Sequence, residues 1–243
     1  MGSNPAAPTN LKTRKKWKQK QFPNAGQMYT SEKEFWNTVG STKSFSDPFR
    51  IERFTKGLRS DSLIVEYGCG YGRILSLLWQ EGFSNLVGFD FAPKMISRGK
   101  TESPHLDLRL LKTPFQMDLE TASVDGIVLS TVLTCISETK DIQDLMKEIN
   151  RVLKPSGLLY VSDFLITENE KYRPLYQRDA NQFADYGTFM TSEGGKVRHF
   201  ERSFIQNLMG PLDMIWYEEA PYFTMNLNPI ETFHLMAVKG PSQ

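Results

Sequence analysis

Two spacings of apolar residues alternate along this chain. Short apolar runs bounded by turn residues predict strands near 62–66, 86–90, 106–111, 125–131 and 157–165. Between them, apolar side chains spaced by three and four predict helices near 72–81, 93–100 and 138–153. The last of these is the best defined. Ile142, Leu145, Met146, Ile149, Val152 and Leu153 form one stripe, which suits packing on a sheet, and Lys154-Pro155-Ser156-Gly157 ends it. Strands alternating with helices imply parallel pairing through right-handed crossovers, and so an α/β doubly wound sheet covered on both faces.

The first strand runs straight into a glycine turn, Ile64-Val65-Glu66-Tyr67-Gly68-Cys69-Gly70-Tyr71-Gly72-Arg73. Glycines at a strand-to-helix turn allow sharp backbone bends and close approach of a ligand. A dinucleotide fingerprint requires G-x-G-x-x-G, with its pyrophosphate over the helix start. Here Gly68, Gly70 and Gly72 give G-x-G-x-G, Arg73 takes the place of the third glycine, and Glu66 stands two residues ahead. A carboxylate there repels a pyrophosphate but suits a cationic group. Eighteen residues after Gly72, Asn85-Leu86-Val87-Gly88-Phe89-Asp90 ends in an acid positioned to accept both hydroxyls of a ribose. Phe91 follows, placed to lie on a purine, and Pro93 suits a first helical turn ahead of Met95.

These motifs resemble those of the class I S-adenosylmethionine-dependent methyltransferases. The glycine turn is similar to the family's motif I, Ser123 to Leu133 to its fourth strand, and Asn150 to Tyr160 to its turn into the fifth. The resemblance spans residues 62–165. It implies a Rossmann-like three-layer α/β/α fold, closed by an antiparallel strand pair at 213–220 and 231–238. It also implies an S-adenosylmethionine site, with S-adenosylhomocysteine as product, built from Glu66, Gly68, Gly70, Gly72, Asp90, Phe91, Met95, Ser130 and Thr131. Family spacing places Thr113, Pro114 and Phe115 at the adenine edge, although other members usually have Asp followed by a small residue there. An N-terminal helix folds over the cofactor in related enzymes, making Tyr29 and Trp36 lid candidates. The fourth strand ends in Ser130-Thr131-Val132-Leu133, without the Asn/Asp-Pro-Pro-aromatic signature of amino-group DNA methyltransferases.

Composition narrows the reading further. At 243 residues, 40% hydrophobic and 23% charged, the chain suits one sizeable domain. No apolar stretch reaches the roughly 20 residues that span a bilayer, and no signal-like segment opens the sequence, so a cytoplasmic protein is expected. The two cysteines, Cys69 and Cys135, lie on separate elements and are expected to be free thiols. No metal-ligand spacing appears, and no metal is expected. Residues 1–20 carry six bases and no acid, whereas the remainder is net negative by five. A flexible arm accounts for this better than a nucleic-acid contact. The expected organisation is this arm, followed by one methyltransferase domain over 21–243. Within it, 21–58 form the lid, 59–165 the cofactor core, 166–211 an acceptor-site insertion and 212–243 the closing strands. Oligomeric state is not legible.

The acceptor is expected to be a small molecule. The alternatives are an RNA-modifying enzyme that uses the basic arm, or a non-catalytic S-adenosylmethionine-binding protein. Residues 166–229 hold Tyr172, Tyr176, Tyr186, Tyr217 and Tyr222 among their aromatics, which suits either an acceptor pocket or a cap on the core. His199 follows the polar stretch Gly194-Gly195-Lys196-Val197-Arg198 and is the base candidate, against a surface hairpin position. Arg198 is a candidate to orient an anionic acceptor, and Tyr186 completes the catalytic set. His234, inside the last strand, is expected to be structural.

Overall fold

The structure, a computed structural model, describes residues 32–38, 40–210, 212–224 and 227–241. Two short helices, α1 (Glu32–Thr38) and α2 (Ile51–Thr55), precede the first strand, β1 (Ile64–Tyr67). Then come α3 (Arg73–Gln80), β2 (Leu86–Asp90), α4 (Pro93–Glu102), β3 (Asp107–Leu110), β4 (Val124–Ser130), α5 (Thr139–Val152) and β5 (Leu153–Phe164). The chain continues through α6 (Arg173–Asp179), a small hairpin of β6 (Thr188–Met190) and β7 (Lys196–Arg198), and α7 (Arg202–Leu208). It closes with β8 (Asp213–Phe223) and β9 (Pro229–Val238). The basic arm and Tyr29 lie outside the described residues.

The main sheet has the order β3-β2-β1-β4-β5-β9-β8. The first five strands pair in parallel, and β9 runs antiparallel between β5 and β8. The interior strands β1 and β2 are buried along their whole length, as strands covered on both faces must be, which explains their near-continuous apolar runs. Alternate residues feed two cores. Val65, Ile127 and Leu129 pack with the predicted α5 stripe of Ile142, Leu145, Met146, Ile149 and Val152. Ile64 and Val128 pack on the other side with Phe54, Leu75 and Leu78.

The expected elements are present, with shifted ends. The fifth strand starts at Leu153 rather than 157, because Leu153 pairs with Val124 before a register shift at the Lys154-to-Gly157 turn. The closing pair is longer than expected and reaches Phe223 and Pro229. The hairpin β6–β7 was weighed only as a surface alternative for His199; at three residues per strand it carries too few positions for a period-two pattern. Strand order reverses between β1 and β4, and the crevice beyond the carboxyl ends of such strands is where open α/β sheets bind ligands.

Candidate functional site

At the end of β1 the chain turns with left-handed backbone at Gly68, Gly70 and Gly72, whose φ angles are 73°, 56° and 83°. Gly68 has a further reason to lack a side chain, since a Cβ there would lie 2.4 Å from Val132 Cγ2. Glycine thus lets the β1 turn and the loop after β4 close on each other. The Gly68 and Cys69 N–H groups donate to the Phe89 carbonyl at 2.7 and 3.0 Å, tying this turn to the end of β2.

Asp90 locks the same junction. Its Oδ2 accepts the Gly70 N–H at 2.8 Å and its Oδ1 the Ala92 N–H at 2.7 Å. Burial raises its pKa, and the backbone donors of Ala92 and Gly70 pull it back. An ionised carboxylate has about four lone-pair sites, so the backbone donors still leave room to accept from a ligand. Asp90 therefore shapes the turn as well as facing the cavity, a positional role that its sequence context did not reveal.

Glu66 differs. It is 4% exposed, and its Oε2 has no hydrogen-bond partner. Burial pushes its pKa up to about 8, opposed by the nearby Arg73 charge. A buried, unsatisfied acceptor is costly unless something completes it, and a ligand ammonium is a group that would.

Both acids line a cavity of about 390 Å³. Gly68, Gly70, Phe91 and Met95 share its wall, as do Ser130, Thr131 and, from α1, Trp36. Gly72 stands behind, as the N-cap of α3. Thr113, Pro114 and Phe115 are not part of this wall. The Phe115 N–H is held by the Tyr67 hydroxyl at 3.2 Å, and Pro114 and Phe115 instead border a separate opening with Lys147, Glu148 and Arg151. In this structure the loop is drawn toward α5, where the Met117 N–H also donates to Glu148 at 2.7 Å.

The segment after α1 covers the glycine turn. Trp36 meets Phe45 at 6.0 Å, Phe45 stacks on Tyr71 at 5.7 Å, and the Arg98 guanidinium lies 3.8 Å over the Tyr71 ring. Lys43 pairs with Glu193, fastening this cover to the β6–β7 hairpin. Sequence reasoning did not assign Lys43, Asp47 or Arg73 to the site, although all three line the cavity. Arg73 was visible as the residue in place of a third glycine; Asp47 gave no signal, because it enters through a loop with no periodicity.

The rest of the cavity wall is aromatic. Phe164, Tyr172, Phe189 and His199 line it together with Leu175 and Val197. His199 is 3% exposed, with ring centroids of Tyr172 and Phe189 each at 5.0 Å and Phe164 at 5.5 Å. Its expected polar surroundings are thus corrected: the hairpin folds inward and desolvates the imidazole, lowering its pKa to about 3. Arg198 and Tyr186 are placed elsewhere. Side chains alternate along β7, so Arg198 points away from the cavity and its Nη1 donates to Asp185 at 2.9 Å, Thr139 Oγ1 at 3.0 Å and the Ser137 carbonyl at 3.2 Å. Tyr186 is 51% exposed and does not line the cavity. His234 has partners on both ring nitrogens, Tyr160 Oη at 2.9 Å and Thr232 Oγ1 at 3.3 Å, as a structural histidine should.

Among the described residues no group of three or more His, Cys, Asp or Glu is arranged to hold a metal, and no helix is long and apolar enough to cross a membrane. Residues 65–161 match a family described as a methyltransferase domain. The chain is similar to a solved S-adenosylmethionine-dependent methyltransferase from Methanosarcina mazei, with 23% identity and a TM-score of 0.73 over 80% of this chain and 99% of that one. A second likeness is to Burkholderia thailandensis 1,6-didemethyltoxoflavin-N1-methyltransferase, solved with that compound and S-adenosylhomocysteine, at 13% identity and a TM-score of 0.58 over 78% of this chain and 76% of that one. An uncharacterised methyltransferase-like protein of Schizosaccharomyces pombe is 26% identical over 155 residues, 61% of this chain and 56% of that protein. The match thus spans little more than half of this curated relative. Residues 65–161 thus match a methyltransferase domain, and the seven-stranded order is the fold of the solved S-adenosylmethionine-dependent methyltransferases.

Proposed function

We propose that the protein transfers a methyl group from S-adenosylmethionine to a small molecule, in the cytoplasm. The observation that carries this reading is that one cavity is lined both by the acids and glycines of the β1 and β2 turns and by the aromatic cluster beyond β5. Bound S-adenosylmethionine supplies an electrophilic methyl carbon. In this reading Glu66 holds the ammonium, Asp90 the ribose hydroxyls and Phe91 the purine face, while Ser130, Thr131 and Trp36 complete the enclosure. The protein's remaining task is to exclude water and hold the acceptor atom about 3–3.5 Å from the methyl, in line. The aromatic wall of Phe164, Tyr172 and Phe189 suits that task.

A small acceptor is favoured by the cover over this cavity: among the described residues, α1 and the Lys43–Glu193 link lie across it. The ligands in the Burkholderia thailandensis structure are of the same kind. Two free cysteines, Cys69 and Cys135, suit a reducing compartment. The test is a thermal melt. S-adenosylmethionine and S-adenosylhomocysteine are expected to raise the melting temperature, by roughly 2.7 kcal/mol of stabilisation at a hundred times the dissociation constant. Stabilisation by NAD and by neither of these ends the reading.

A further inference from the structure

The His199 imidazole is held by one neighbour and open on its other nitrogen. Its Nδ1 lies 2.6 Å from the Tyr176 hydroxyl. Tyr176 is 1% exposed, and His199 Nδ1 is the acceptor within reach of the phenol's proton. The opposite arrangement, Nδ1–H donating to the phenol, leaves a buried hydroxyl proton with no acceptor among the described residues, which is costly. Tyr176 therefore fixes the tautomer with the proton on Nε2. Nε2 has no protein partner among the described residues, and the ring lines the cavity.

Around this donor the wall offers mainly apolar surface: Phe164, Tyr172, Leu175, Phe189 and Val197. Of the cations that line the cavity, Arg178 is held by Asp179 and the Met190 carbonyl, Lys43 by Glu193, Arg73 lies near Glu66 and Asp47, and Lys171 sits at the exposed rim. We infer that the acceptor is a neutral, flat conjugated ring carrying an oxygen or nitrogen that accepts a hydrogen bond from His199 Nε2–H, with Tyr176 as the positioning residue. His199 is then a reader of the acceptor and not a base. Aromatic walls favour such a ring by offset and edge-to-face contacts, and a fixed donor rejects an isostere that leaves it unpaired.

This inference rests on the methyltransferase reading, and the experiment separates the two. S-adenosylhomocysteine binding is measured first; if there is none, the methyltransferase reading fails and this one falls with it. With S-adenosylhomocysteine saturating, the affinities of 1-indanone, indane and benzoate are compared by titration. The inference expects 1-indanone to bind about tenfold more tightly than indane, which has the same shape without the carbonyl, and expects benzoate to bind more weakly than 1-indanone. His199→Phe should bring 1-indanone down to the affinity of indane while leaving S-adenosylhomocysteine affinity unchanged. Nitrogen-15 spectra of the wild-type protein at pH 7 should show His199 neutral, with its proton on Nε2. Failure of 1-indanone to bind beside a bound S-adenosylhomocysteine, equal affinity for indane, a preference for benzoate, or a proton on Nδ1 would each overturn the inference.

Discussion

The two ends of the cavity are built on opposite principles. The cofactor end is polar and local: Glu66, the glycine turn and Asp90 lie within 25 residues of one another and are fixed by backbone hydrogen bonds between adjacent parallel strands. The acceptor end is apolar and assembled from distant pieces, with Phe164 from β5, Tyr172 and Tyr176 from the start of α6 and within it, and Phe189 and His199 from the hairpin. At one end the protein presents an acid that lacks a partner; at the other it presents rings and one oriented imidazole. A scaffold that holds one invariant ligand can afford rigid backbone contacts, whereas the part that selects a variable partner is carried on inserted segments.

Breaking the rigid end should have the largest consequences. Gly68→Ala adds a Cβ 2.4 Å from Val132 Cγ2 at a φ of 73°, and overpacking together with left-handed strain should cost about 2–5 kcal/mol, read by denaturant unfolding. Asp90→Ala removes the acceptor for two backbone N–H groups as well as the proposed ribose contact. Cofactor affinity should fall by about 1.5–3 kcal/mol, ten- to more than a hundredfold, in isothermal titration.

Arg198→Ala sharpens the comparison because it lies beside the acceptor end without belonging to it. It should lower stability by about 1.5–3 kcal/mol through loss of the Asp185, Thr139 and Ser137 contacts, and leave the affinity for S-adenosylhomocysteine unchanged.

A titration sharpens it further. Glu66 ionises near pH 8 in the folded protein and near 4.5 when unfolded, so the folded state holds the extra proton between those values. Its contribution to stability is full below pH 4.5 and is lost as the pH rises through about 8. Glu66→Gln should remove up to about 1.4 kcal/mol per pH unit of that slope, and the ligand-free variant should be the more stable protein at pH 9. Near pH 7, cofactor binding should release up to one proton, because an ammonium beside Glu66 favours the carboxylate. That release should be absent in Glu66→Gln, as seen by calorimetry in buffers of different ionisation enthalpy.

The same contrast explains what could be read from sequence. β1, β2 and the α5 stripe follow from periodicity because each element buries one continuous set of residues, and the glycine turn and Asp90 are legible because their spacing is fixed by a strand, a turn and a helix. His199 was found, but in the wrong surroundings: Gly194-Gly195-Lys196 reads as a solvent turn, and only tertiary folding brings Tyr172, Phe189 and Phe164 around the imidazole. Arg198 and Tyr186 lie off the cavity wall, because neighbours in sequence point to opposite sides of a strand or turn. Thr113 and Pro114 were placed by family spacing, which carries no information about the pull of Glu148 on that loop.

The central claim is that one cavity holds the cofactor with its reacting end toward the aromatic wall. A crystal structure with S-adenosylhomocysteine tests it most directly. The account predicts the ammonium within hydrogen-bond distance of Glu66 Oε2, the ribose hydroxyls on Asp90, and the sulfur facing Phe164, Tyr172 and His199. A ligand bound away from Glu66, or with its sulfur turned from the aromatic wall, would contradict it.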